Sequence, residues 1–366
     1  MKKIVGILAA AAVLATSVFA AELSAGVRLE GELFNYNGTT EGAQALKLTN
    51  ANQFWHAPLT LSVSSDRAGG TFKFTDGDKD AFTTGKWAIW FKPTDALKVN
   101  LGTIDKSMNV ETIDWGGRLI NYDSFGASLD VNVDALALTL SVVPGRGGYW
   151  FEDGNALKAA KVAAAEAKVK ATNPDATDAE IAADTGVIAA KNAAAPDAQI
   201  SELNVYAAYS ADFGTISAMF DAQSSFKDIK VGAGYKGTFD PITLFVDGAF
   251  YSKNTDGKTE TSFGVDADVV YAQDELNAQA YVKFTAKTDA VDKGELLTLA
   301  KVSYKLDAGT VYFYFKDGNL MAKDFSATFK PGFTSSVGIM NYEIALQLDV
   351  AKKVNVSVPV NFSVNF

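Results

Sequence analysis

Residues 353 to 366, Lys-Val-Asn-Val-Ser-Val-Pro-Val-Asn-Phe-Ser-Val-Asn-Phe, alternate without a break. Val354, Val356, Val358, Val360, Phe362, Val364 and Phe366 fall on one face of an extended chain. Lys353, Asn355, Ser357, Pro359, Asn361, Ser363 and Asn365 fall on the other, because strand side chains alternate with period two. Such a strand has one face in oil and one in a polar space, and it is longer than the roughly 9–11 residues a tilted strand needs to cross a bilayer core. The edge strand of a soluble sandwich would alternate in the same way. This stretch alone leaves both readings open.

The pattern recurs along the chain. Leu23, Ala25, Val27, Leu29 and Leu33 oppose Ser24, Arg28, Glu30 and Glu32; Trp87, Ile89 and Phe91 oppose Lys86, Ala88 and Lys92; Phe263, Val265, Ala267, Val269 and Tyr271 oppose Asp266 and Asp268. More than a dozen such runs, with almost no helical periodicity between them, predict an all-β chain. Turn signals separate them at Asp66, Asp95, Asp134, Asp212, Asp240, Asp274 and Asp307, spaced 29, 39, 78, 28, 34 and 33 residues apart. Apart from the 78, this is a two-strand period with short turns on one side and longer loops on the other.

The proposed inner face is too charged for a dry core: Arg28, Glu30, Glu32, Lys73, Lys86, Lys98, Asp130, Lys230, Lys236, Asp266, Asp268, Lys283, Glu343 and Asp349 all lie on it. Burying them without water would cost several kcal/mol each, and an open sheet in a bilayer would leave edges that no water can satisfy. The sequence therefore predicts a closed antiparallel up-and-down transmembrane β-barrel of about 16–18 strands, greasy outside and polar inside, over residues 21–366. Even parity puts both termini on the periplasmic side. Phe34, Tyr36, Phe54, Trp55, Tyr235, Phe250, Tyr271, Tyr304 and Phe366, at strand ends, suit interfacial girdles as well as ordinary strand aromatics. Pro359 cannot donate to a ladder, so a bulge or local break is expected there on the lumen side.

Residues 1–20 read as a secretory signal peptide: basic Met1-Lys2-Lys3, an apolar run from Ile4 to Leu14, and Val18-Phe19-Ala20 as the cleavage signal. No later run is apolar for the ~18 residues a spanning helix requires. The net charge is −10, and −12 once Lys2 and Lys3 are removed, which disfavours nucleic acid as a partner. The absence of cysteine excludes disulfides and thiolate metal sites. The 78-residue gap holds a compositional break: 18 of the 43 residues from 156 to 198 are alanine, a strong helix-former composition. Asn155 can cap a first helix that Asn173-Pro174 interrupts, and Thr177-Asp-Ala-Glu180 is a capping box for a second, closed by Pro196. Parity places this insert in an extracellular loop, as a helical hairpin or arm, unless it folds into the lumen.

Ending on Phe366, the last strand resembles those of outer-membrane β-barrel proteins of Gram-negative-type bacteria, whose final aromatic is a signal read by the barrel-assembly machinery. The signal sequence and strand style are also similar to those of spirochaete outer-membrane proteins. Counting strands, residues Asp105 to Asp123 form the third outward loop, where the chain resembles the porin family. In that family the loop folds inward and narrows the pore with an acidic residue beside an aromatic and paired glycines. Here Asp114-Trp115-Gly116-Gly117 is followed by Arg118, with Asp105 and Glu111 nearby; the family's Pro-Glu-Phe start is absent. The resemblance implies that Asp105, Glu111 and Asp114 would face Arg28, Lys73, Lys86 and Lys98 of a lumen wall that also carries Glu30, making a transverse field.

Chemistry finds little support. A barrel hydrolase normally needs a histidine near a carboxylate or serine, and the one histidine, His56 in Phe-Trp-His-Ala-Pro, suits rim packing. Asp76-Gly-Asp78-Lys-Asp80 could bind a divalent cation but reads better as a solvated loop. The expectation is thus a porin-like outer-membrane channel, not an enzyme and without a cofactor, passing small hydrophilic solutes and ions by passive diffusion with cation preference. Its partners would be outer-membrane lipid and the assembly machinery, and the resemblance implies a homotrimer. The alternative is a surface adhesin or structural barrel that uses the Ala-rich arm.

Overall fold

The computed structural model describes residues 20–36, 44–50, 59–77, 81–107, 119, 121–143, 154–193, 202–223, 226–255 and 258–365. The strand segments are β1 (Ala20–Tyr36), β2 (Gln44–Asn50), β3 (Leu59–Ser64), β4 (Ala68–Gly77), β5 (Ala81–Thr94), β6 (Leu97–Ser107), β7 (Asn121–Val133) and β8 (Leu136–Val143). After a helical insert come β9 (Glu202–Ala211), β10 (Gly214–Gln223), β11 (Asp228–Phe239), β12 (Ile242–Thr255), β13 (Lys258–Gln273) and β14 (Leu276–Lys287). The chain finishes with β15 (Glu295–Leu306), β16 (Gly309–Asp317), β17 (Ala327–Val337), β18 (Met340–Ala345), β19 (Gln347–Val350) and β20 (Val354–Asn365).

Strands consecutive in sequence pair antiparallel, except within β2–β3 and within β18–β19. β1 meets β3 along Ala20–Ala25 and β2 along Leu29–Asn35, so β2 and β3 share one place in the ladder. β18 and β19 likewise share one, both lying between β17 and β20. The twenty segments therefore make eighteen strands, and the ladder returns to its start because β20 pairs with β1 from Gly26↔Asn365 to Tyr36↔Val356. Closure satisfies backbone groups that an open edge would leave bare.

Eight two- or three-residue turns lie at one end, and seven of them carry the aspartates at 66, 95, 134, 212, 240, 274 and 307. Asp134 and Asp274 adopt φ of 48° and 52°, a left-handed conformation that aspartate tolerates better than most residues. The eighth turn is Gly338-Ile339, with Gly338 at φ 60°. It uses glycine for the same backbone need, so an aspartate rule passes over it.

Apolar side chains cover the outside. Phe125, Leu136, Ile216, Val246, Val265 and Phe313 are all exposed, while the intervening Asp221, Asp247, Asp266 and Asp268 are buried. Beside Pro359 the register slips, from Glu32↔Pro359 to Asn35↔Ser357. The extra residue is in β1 rather than β20. It lets Leu33 and Phe34, consecutive in sequence, both stand exposed, and β20 itself runs on through Pro359.

The insert folds as three helices, α1 (Gly154–Thr172), α2 (Asp178–Ala183) and α3 (Thr185–Asn192). The capping box at Thr177 is formed: the Thr177 N–H donates to Glu180 Oε2 (2.8 Å) and the Glu180 N–H to Thr177 Oγ1 (3.3 Å). The second predicted helix is divided at Asp184, whose Oδ1 accepts from the Gly186 and Val187 N–H groups. A short acid that bonds its own following backbone ends one helix and caps the next. Ile181 and Val187 are the buried apolar contacts of this small unit. Among the described residues no helix is long and apolar enough to cross a membrane.

Candidate functional site

Alternation along eighteen strands lines the interior with polar side chains, and register decides which ones meet. Between β6 and β8 the centre is Asp130. Asn100 Nδ2 donates to Asp130 Oδ2 (2.8 Å) and Thr139 Oγ1 to Asp130 Oδ1 (2.7 Å). Lys98, opposite Asp130 in register, holds its ammonium 5.1 Å from the Trp90 ring centroid, and Lys92 sits 5.6 Å from the same ring, within cation–π range.

From β10 to β14 the wall is acidic. Lys230 Nζ lies 3.6 Å from Asp221 Oδ2. Asp247 and Asp266 stand directly opposite one another on β12 and β13. Tyr281 Oη donates to Asp266 Oδ2 (2.8 Å) and Gln279 Nε2 to Asp268 Oδ2 (2.8 Å), whereas neither oxygen of Asp247 has a hydrogen-bond partner. From β15 to β18 the balance is basic. Lys330 Nζ donates to Glu343 Oε1 (2.8 Å), Tyr312 Oη donates to the same oxygen, and Lys301 and Lys330 sit 5.2 and 5.9 Å from the Tyr312 ring centroid. Two adjoining cavities open here, one of about 350 Å³ against Lys301, Tyr312 and Lys330, and one of about 760 Å³ toward the turn end. They share Thr334 and Glu343.

The connection between β6 and β7 leaves the wall. β5 pairs with β6 only as far as Gly102, and β8 pairs with β7 only as far as Ala127, so residues 103–107 and 121–125 pair with each other and with no wall strand. This free ribbon turns inward. Lys106 Nζ lies 3.8 Å from Asp130 Oδ1, yet Asp130 is opposite Lys98, eight residues away along β6. A straight strand would separate those positions by about 26 Å, far beyond a lysine's reach. The bend sits at the Gly102–Gly126 pair, with Gly102 at φ 110°.

Leu119, farther along the same connection, is buried against Met219 and Ala249, with Tyr206 and Tyr251 packed around them. Tyr251 Oη donates to the Leu119 carbonyl at 2.5 Å. A Cβ on Gly264 would come within 2.6 Å of Leu119 Cδ2.

Of the residues singled out in the sequence, Glu111, Asp114, Trp115, Arg118, His56, Asp78 and Phe366 lie outside the described residues. Asp105 is exposed, opposite Asp123 on the ribbon face away from Lys106. No ion pair joins Asp105 to Lys73 or Lys98 among the described residues. Lys73 lies at a register slip against β5, where Lys86 occupies the bulge between Thr84 and Trp87. Glu30 faces Asn361 in register and Arg28 faces Ser363, the side chain of Arg28 being outside the described residues. Lys106, Leu119, Asp247, Tyr251 and Gly264 carried no separate signal in the sequence. Lys106 and Asp247 fall in alternating runs like many others, and the importance of Leu119 appears only through partners distant in the sequence, from Tyr206 to Gly264.

No protein-family model matches the chain, and no curated protein matches it in sequence. Solved structures do match in fold. OpdL of Pseudomonas aeruginosa superposes with a TM-score of 0.56 at 9% identity, covering 95% of this chain and 98% of that one. OccK3 (OpdO) of the same organism gives 0.55 at 11% identity, covering 94% and 96%. A BenF-like porin from Pseudomonas fluorescens Pf-5 gives 0.51 at 10% identity, covering 94% and 99%. At these identities the likeness concerns architecture, and the chain has the barrel fold of outer-membrane porins.

Proposed function

We propose that this protein is an outer-membrane channel through which small hydrophilic solutes and ions diffuse passively, with no chemical step. The observation that carries the reading is a ring of eighteen strands closed by β1 and β20, with apolar side chains outward and charged ones inward. That division suits a wall between lipid and water and no soluble setting. The inward ribbon and Leu119 support a constriction in the connection from Asp105 to Asp123, whose Glu111, Asp114, Trp115 and Arg118 would join Arg28, Glu30, Lys73, Lys86 and Lys98 in setting the field. Residues 1–20 serve as a cleaved export signal, Phe366 as the assembly signal, and the arm over 156–198 projects from the extracellular side.

Purified protein in planar bilayers is expected to give defined conductance steps. Silence under conditions where the barrel is folded would defeat the channel and leave the adhesin reading, with the arm as its working part. With steps in hand, the reversal potential in a salt gradient is expected to show cation preference, from the net charge of −12 after signal removal; anion preference would overturn that.

A further inference from the structure

We propose that Trp90, Lys92 and Lys98 form a binding site for a small solute bearing a phosphate group, set in the lumen wall at the short-turn end. The proposal names a solute class for the channel proposed above and rests on that reading for its role in passage, whereas binding itself is measurable without it. Trp90 and Lys92 on β5 and Lys98 on β6 alternate with the exposed Ile89 and Phe91, flank the turn at Asp95-Ala96 and are partly exposed themselves. Gly69, the register partner of Trp90, seats the ring: a Cβ there would come within 2.7 Å of it. An indole laid across the neighbouring strand needs a residue without a side chain beneath it. The pairing of β5 with β6 slips between Phe91 and Thr94, and the Lys92 N–H donates to the Arg67 carbonyl (2.7 Å). Both ammonium groups reach the same ring, at 5.6 and 5.1 Å from its centroid.

Asp130 explains why Lys98 is available. It stands directly opposite Lys98, where a cross-strand ion pair would be expected. Its two oxygens are taken instead by Asn100, Thr139 and Lys106. Among the described residues neither Lys92 nor Lys98 forms an ion pair, and Asp95 at the adjoining turn is held by Arg67 at 3.0 Å. Two positive charges thus converge on one ring with no protein anion between them. An anion that reaches both relieves their repulsion and makes the charge-assisted bonds they lack. Lysine acts as a point charge rather than a planar fork, which suits a tetrahedral phosphate better than a planar carboxylate. A phosphate group also carries about two negative charges above neutral pH, matching two ammonium groups where a carboxylate supplies half as much. The site faces the lumen, away from lipid headgroups, so its ligand is a diffusing solute.

Calorimetric titration of the folded full chain in detergent with inorganic phosphate at pH 8 tests the site. Wild-type protein should bind phosphate saturably and acetate more weakly. Lys92→Gln and Lys98→Gln should each weaken phosphate binding about fivefold, and the double variant more. Asn100→Ala removes no charge but frees an Asp130 oxygen for Lys98, so it too should weaken binding. In planar bilayers the same phosphate should lower the unitary current of wild-type channels saturably and leave the double variant unaffected. Absence of phosphate binding by folded wild-type protein, or undiminished binding by the double variant, would overturn the site. Acetate binding as tight as phosphate would overturn the ligand class, and unchanged affinity in Asn100→Ala would overturn the account of Lys98. An unaltered current despite binding would overturn the role in passage. Phosphate binding by a protein that gives no conductance would support the site while defeating the channel reading; conductance without phosphate binding would do the reverse.

Discussion

Gly102 shows how much one residue can decide in a barrel. Its φ of 110° lies where an L side chain is strained, and a Cβ there would collide with the Trp87 carbonyl oxygen. Gly102→Ala should therefore destabilise the folded barrel by about 1–3 kcal/mol, read as a lower thermal unfolding midpoint in detergent; an unchanged midpoint would remove this position as the pivot of the ribbon. Glu343 is a second decisive residue, since it accepts from both Lys330 and Tyr312. Glu343→Gln leaves Lys330 uncompensated beside Lys301, and the reversal potential should move toward anions. No movement would place this sector outside the conducting path. The inward phase of Glu343, Asp266, Asp268 and Lys283 was legible in the sequence, because alternation assigns each strand residue to a face. Their partners were not, because a hydrogen bond such as Tyr281 to Asp266 depends on the register between strands.

At the scale of elements, turn chemistry and capping were the most readable features. Aspartate marks seven of the eight short turns at one end of the barrel, and the Thr177 capping box forms as its spacing requires. The break at Asp184 was less visible, since an acid inside an Ala-rich run is compatible with an unbroken helix until its side chain finds the amides of Gly186 and Val187. The backbone and side chain of Thr177 hold the Glu180 carboxyl below its usual range. A depressed folded-state value means that this contribution is present above the unfolded carboxylate pKa and is lost as pH falls through the folded one. Helical circular dichroism of the arm is thus expected to weaken on acidification, and less so in a Glu180→Gln variant; equal acid responses would show that the cap does not govern it. Deletion of residues 156–198 is expected to leave unitary conductance unchanged if the arm stands outside the pore, and a rise would place it in the lumen.

For the whole molecule, period-two alternation repeated across the chain determined the all-β class, the greasy exterior, the polar interior and a strand count close to the eighteen observed. These follow from the geometry of a single extended strand and the requirement that its two faces meet different solvents. Two breaks, at β2–β3 and β18–β19, divide strands locally without changing the ring, because both pieces stay in one ladder position. Closure of the last strand onto the first and an irregularity at Pro359 were both expected from the sequence; only the tertiary structure decided that the extra residue lies in β1, between Glu32 and Asn35, and that the ribbon after Gly102 abandons the wall. It also decided that Leu119 settles against Met219, Ala249 and Gly264. Each of those outcomes is a contact between residues distant in sequence, chosen by closure of the ring and by the space its interior leaves. Local alternation carries no record of such choices.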